Sequence, residues 1–313
     1  MHIFRIFVVI AIALLIIFSP KIRSIIKGYS ETSVDEATHN IQKVNKFSEN
    51  FQRIIKEGDE EKVEAFIKDS LEASDKIQAT TDKMNILKEI CSYYLAKNDH
   101  EKVLKYTDVL YGLSKKENCY DLQAHSFYFY ISSQMSLAQE EQDVAGKDLR
   151  MENAKKISLQ GLHLIEEKEI NNPLLEGKLY YVLGLSLIET SSSDLFQAEK
   201  MLVEAKEHFE KAKDQNGIFK ANLKLAHIQF LQGEVAKAES ILCPLKEENY
   251  LEASLQMQLD FMLSQIEAAK GQVNSAISLA EKACEVANEK ERIRINQLIS
   301  ELKQVQEMQK EPL

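Results

Sequence analysis

The chain is short of the residues that interrupt regular structure. It holds 10 Gly and 4 Pro in 313 residues, and no Trp. Sheet-rich folds need many more turn residues, because tight hairpins call for positive φ or a locked φ. The shortage excludes a β-rich architecture. Leu, Ala, Glu, Lys, Gln and Ile dominate instead, and these are mostly good helix formers. An all-α fold is therefore expected.

Cysteine is scarce too. Cys91, Cys119, Cys243 and Cys284 form no C-x-x-C pair, and their gaps are too wide for a zinc knuckle. Cys91 and Cys284 fall where a helix wants a small apolar residue, so buried structural thiols are the simplest reading. Their even number permits disulfides in an oxidising compartment without arguing for them.

Positive charge is in deficit. The net charge is −10. The first 28 residues hold Arg5, Lys21, Arg23 and Lys27 and no acid, which leaves 35 of the 39 basic residues against all 49 acidic ones, or −14. Such a body repels phosphate backbones, and no basic stripe with interleaved aromatics offsets it. Nucleic-acid binding is not expected, and the acid excess reads as a solvated helix surface.

Catalytic signatures are missing as well. There is no H-E-x-x-H, G-x-S-x-G, phosphate-binding loop or dinucleotide fingerprint. One E-x-x-H runs from Glu36 to His39, whereas a di-iron bundle needs two of them with further glutamates on facing helices. Ser, Cys and His have no spacing that pairs a nucleophile with a base. Neither catalysis nor a metal, a cofactor or a small-molecule substrate is expected.

Only one long apolar run occurs, Ile6 to Phe18 in "MHIFRIFVVIAIALLIIFSPKIRS". As helix it spans about 20 Å, and counting from Ile3 about 25 Å, against a bilayer core of about 30 Å. The length also suits a secretory signal peptide, but no small-x-small pair follows Phe18 closely. Residues 1–28 are read as a transmembrane signal anchor with a basic flank, giving a single-pass membrane protein. A cleaved signal on an exported soluble protein is the alternative. Lys21, Arg23 and Lys27 outweigh Arg5 and the terminal amine by one charge, too little to fix the side of the membrane.

What the chain does have is repetition. "GEVAKAESIL" at 233–242 returns in outline as "GQVNSAISLA" at 271–280, each with a Gly and then Ala238 or Ala276 five places on. "GDEEKV" at 58–63 is echoed by "NDHEKV" at 98–103. Each echo sits at the joint of two amphipathic segments with three- and four-residue apolar spacing. Repetition at this period means stacked helical hairpins, because one hairpin cannot bury its own apolar face.

These residues resemble the tetratricopeptide repeat. In 217–250, Leu225 and Ala226 match its Leu–small pair of helix A, Gly233 its turn glycine, and Ala238, Leu242 and Leu245 its helix B. In 257–290 the same places hold Leu263, Ser264, Gly271, Ala276, Ala280 and Ala283. In 84–117 they hold Leu87, Ile90, Cys91, Tyr94, Val103 and Leu110. In 177–212, Tyr180, Leu183, Gly184, Leu187, Ala198, Leu202 and Ala205 fit if the turn gains two residues at "SSS". Residues 125–167 fit more loosely, with an acidic insertion, and the hairpin at Gly58 has bulky Phe51 at a small position. The family's Trp and terminal Pro are absent. The resemblance implies an α-solenoid of about six antiparallel hairpins in a right-handed superhelix. Divergent N-terminal helices would occupy 31–80, repeats 81–290, and a capping helix 291–313. Cys91, Gly184, Ala198, Ala205, Ala226, Gly233, Ala238, Gly271, Ala276 and Ala283 would then be packing positions.

The family's groove positions transfer to Phe129, Lys178, Tyr181, Leu185, Lys220, Leu223, His227, Phe230 and Phe261. They imply a partner site for a protein or peptide, with an aromatic stripe as anchor. The family's carboxylate clamp uses Lys and Asn at such places, and here only Lys178 and Lys220 are charged. The expected function is a membrane-anchored adaptor or scaffold. A regulator of a phosphotransfer enzyme is the third reading, without a metal or nucleophile set behind it.

Overall fold

The computed structural model describes residues 46–76, 80–190, 194–247 and 252–308, and positions 39, 42 and 44. The expected anchor (1–28), Glu36 and the "SSS" at 191–193 lie outside these residues. Thirteen α-helices and one 3-10 turn make up the regular structure among the described residues, with no strand among them. The chain divides into two compact units, residues 1–93 and 94–313.

In the first unit, α1 (Phe47–Glu57) and α2 (Glu60–Lys76) form a hairpin closed by Gly58 at φ 73°. Phe51 is buried among other rings here. Its ring stacks with Phe47 at 4.8 Å and Phe66 at 6.2 Å, and Tyr93 meets it edge-on at 5.5 Å. An aromatic cluster fills the space that a close helix crossing would need a small side chain to create. The division into units falls within α3 (Thr80–Ala96).

The second unit continues with α4 (His100–Lys116), then α5 (Tyr120–Glu140) with α6 (Val144–Glu167), and α7 (Pro173–Glu189) with α8 (Leu195–Ala212). Next come α9 (Gln215–Leu231) with the short α10 (Val235–Leu242) and its 3-10 extension Cys243–Glu247. The chain ends in α11 (Ala253–Ala269), α12 (Val273–Val286) and α13 (Glu289–Met308). From α4 on, each helix packs on the next. In addition α5 packs on α7, α7 on α9, and α9 on α11, so the first helices of successive hairpins form a continuous layer. That is the arrangement of a helical-repeat solenoid.

Local chemistry sets the helix ends. The Asp99, Asp143, Asn172 and Asp194 side chains accept the N–H of the residue three places on, at 3.1, 2.8, 3.2 and 3.0 Å. Each such cap contributes about 1 kcal/mol. Pro173 occupies the first position of α7, where a missing N–H costs nothing. The helix exits use left-handed residues: Gly233 and Gly271 at φ 82° and 77°, but Asn98 at 58° in the equivalent place after α3. At Gly233 the Glu234 N–H reaches Gln229 O at 2.8 Å, which closes a Schellman turn. The α5 and α7 exits, Glu141 and Thr190, are extended instead. The α7–α8 turn lengthens to residues 190–194, but the α5–α6 turn keeps three residues, 141–143, so the acidic insertion expected there is taken up mostly by α6.

The small positions lie in the interior. Ala198, Ala205, Ala226, Ala238, Ala276, Ala283 and Cys91 are all fully buried. A Cβ added at Gly184 would lie 2.8 Å from Leu202 Cγ and 3.3 Å from Ala198 O, so α7 and α8 approach too closely there for any side chain. Gly177 and Gly217, whose added Cβ atoms would lie 2.8 and 2.5 Å from Phe209 Cδ1, flank a single ring on α8.

Candidate functional site

The inner layer ends in a cavity of about 340 Å³. Helix α9 supplies Leu223, Lys224 and His227, which share one face at spacings of one and four. Helix α11 supplies Met257, Gln258, Phe261, Met262 and Gln265 by the same periodicity. Helix α13 supplies Glu291, Arg294 and Ile295, while Gln139 and Glu189 come from the ends of α5 and α7.

The last helix returns to reach this place. Lys290, beside Glu291 on α13, donates from Nζ to the Gln139 carbonyl at 3.3 Å, across 151 residues of chain. Its first turn is pinned by a reciprocal capping box: the Glu291 N–H donates to Asn288 Oδ1 at 3.0 Å, and Asn288 N–H donates to Glu291 Oε2 at 3.1 Å. Arg292 adds a bond from Nη2 to the Ala287 carbonyl at 3.1 Å. Thus α13 seals the end of the stack and also forms one wall of the cavity.

The walls are mixed. Leu223, Met257, Met262 and Ile295 are buried and Phe261 is half-buried, giving an apolar floor. Against it stand three basic side chains, Lys224, His227 and Arg294. Burial pushes the Lys224 ammonium below its usual range; Glu189 opposes that shift and Arg294 adds to it. The His227 ring is also pushed down, first by burial and then by Lys224, with Arg294 adding and Glu189 opposing. Glu189 is itself engaged, accepting from Lys147 Nζ at 3.2 Å.

Of the nine groove residues expected from the sequence, the cavity gathers Leu223, His227 and Phe261. The rest do not line it. Phe129 is buried, its ring 5.6 Å from Tyr128. Tyr181 packs on Phe209 at 6.4 Å, and burial raises its hydroxyl far above the usual phenol range. Leu185 packs on the core around Met135 and Val182, and Phe230 on the core around Leu223 and Leu263. Lys178 lies over the Tyr128 ring at 5.2 Å, and Lys220 is exposed. The aromatic stripe is therefore not one open surface: Phe129 and Leu223 are buried, and Tyr181, Phe230 and Phe261 are half-buried.

Sequence reasoning passed over Lys224, Arg294, Glu189 and Gln139. Lys224 stands one residue past a groove position. Arg294 belongs to a helix that reads only as a polar cap, and its one signal is the Glu291–Arg294–Ile295 spacing that puts a charge pair beside an apolar residue. Among the described residues, no group of His, Cys, Asp or Glu is arranged to hold a metal ion, and no helix is long and apolar enough to cross a membrane.

No protein-family model matches the sequence, and no curated protein does. Among solved structures, the chain is similar to the apo form of RapI, with a TM-score of 0.47 and 12% identity over 76% of this chain and 92% of that one. It is also similar to a tetratricopeptide repeat protein from Parabacteroides merdae ATCC 43184, with a TM-score of 0.40 and 14% identity over 84% and 99% of the two chains.

Proposed function

We propose that this chain is a protein-interaction adaptor whose inner face holds a segment of a partner, and that residues 1–28 tether it to a membrane. The observation that carries the reading is the cavity between α9, α11 and α13. It combines an apolar floor with convergent polar groups, and its volume of about 340 Å³ is at the small end of binding sites. A site that size takes one or two side chains of a partner, not a whole domain. The tether rests on the apolar run Ile6–Phe18 and its basic flank.

A photo-crosslinking amino acid at Gln258, on the cavity wall, tests the binding surface against the same probe at Lys237, which is exposed on α10. A discrete adduct from position 258 alone is expected. Matching adducts from both positions, or none from 258, would contradict the reading. The tether is tested by alkaline carbonate: the protein should stay with the membrane pellet, and release would remove that part of the proposal.

A further inference from the structure

We infer that the α9–α11–α13 cavity recognises an acidic side chain flanked by an apolar one, so that the partner's docking segment carries Asp or Glu. The inference rests on the adaptor reading above and adds the chemistry of the ligand.

Three observations lead there. First, Lys224, His227 and Arg294 face one cavity, and no described residue offers any of them a hydrogen bond or an ion pair. Second, both acids on the same walls hold other partners, and Glu189 attracts Lys224 and His227 without forming an ion pair with either. Glu189 accepts from Lys147 Nζ at 3.2 Å, and Glu291 accepts the Asn288 N–H at 3.1 Å to cap α13. Third, burial strips hydration from Lys224 and His227, and Arg294 at the exposed rim adds its repulsion, so both give up protons more readily than usual. A bound carboxylate reverses that cost, because an anion close to each cation favours its charged form.

The surroundings narrow the choice of anion. Beyond the first 28 residues the chain carries a net −14, so a wall that brings Lys224 and Arg294 together, with both neighbouring carboxylates already partnered, stands out from its surroundings. The two cations attract a single anionic group while the acidic exterior turns away extended polyanions. Arg294 offers the planar fork that grips a carboxylate, and Lys224 a point charge beside it. The floor of Leu223, Met257, Phe261, Met262 and Ile295 has nothing to give a bare inorganic ion, but it suits an apolar side chain next to the acid.

The test is to pan a random heptapeptide library, displayed without a free C-terminus, against the full-length protein in non-ionic detergent. Parallel pannings use the Lys224→Met/Arg294→Met double variant and Phe261→Ala. Wild type should retain peptides enriched in Asp and Glu over the input pool. Those peptides should bind the double variant about tenfold more weakly or worse, with Lys224→Arg keeping most of the affinity. Circular dichroism melting of each variant separates lost recognition from lost folding. Peptides whose retention needs Phe261 but which show no acid enrichment, or which bind the double variant equally, would overturn the inference and leave the adaptor reading standing. No peptide dependent on Phe261 would remove both.

Discussion

Replacing Gly217 by Ala adds one methyl group and should nevertheless destabilise the protein. The new Cβ would lie 2.5 Å from both Cγ and Cδ1 of Phe209 and 2.6 Å from Asp214 Oδ2. Phe209 has no easy retreat, because the ring already lies against Gly177 on α7, where an added Cβ would stand only 2.8 Å from the same Cδ1. The ring is only 3% exposed. Overpacking of this kind costs about 1–3 kcal/mol. Alanine in a helix recovers at most about 1 kcal/mol relative to glycine. The net loss should be about 1–2 kcal/mol, or a fall in Tm of roughly 3–6 °C for a unit of this size. Gly112→Ala on α4 is the internal control, because its position is exposed and nothing lies within 4 Å of the added Cβ. There the propensity gain acts alone, and stability should rise by up to about 1 kcal/mol. Urea and thermal melts of both variants supply the measurement. If Gly217→Ala is as stabilising as Gly112→Ala, the claim that one ring fills two glycine notches is refuted.

Other changes should behave as the contacts dictate. Ala238→Leu inserts three carbons at a fully buried crossing and should cost about 1–3 kcal/mol in the same melts. Asn288→Ala removes half of the α13 capping box and should cost about 1 kcal/mol. Lys224→Met removes an unpaired cation from a desolvated wall and should leave stability unchanged or raise it by about 1 kcal/mol, so a clear loss would count against the site's electrostatics. His227 has a folded pKa below its unfolded value of about 6.5, so the unfolded chain takes up the proton first as pH falls. Its contribution to stability is thus complete above about pH 6.5 and lost below it, with Lys224, Arg294, Glu189 and Glu291 as the charges that face it. His227→Gln should therefore gain on wild type as melts are repeated at lower pH, and a constant difference would refute the assignment.

The repeat period is legible in the sequence because close helix crossings admit only small residues, and small residues at a fixed spacing are easily seen. Ala198, Ala226, Ala238 and Ala276 are fully buried, and Gly233 and Gly271 take the positive φ that ends their helices. Asn98 is less visible, since an asparagine does the same work without announcing it. Gly177 and Gly217 are harder still, being notches for a ring that lies on another helix. The groove was only partly readable for a related reason. Position along a helix tells which way Phe129 or Tyr181 points, but not whether the next helix covers it. The cavity also depends on α13 returning to the end of α5, a long-range contact between Lys290 and Gln139 that no local pattern encodes.

That contact is the most direct test of the account, whose core is a stack of paired helices curled until its last helix closes the inner cavity. With Cys119, Cys243 and Cys284 changed to Ser, cysteines in place of Gln139 and Lys290 can be challenged with a short bis-maleimide. Intrachain linkage in the folded protein, abolished in denaturing urea, is the predicted result. Failure to link in the folded state, with both thiols shown to be reactive, would contradict the account.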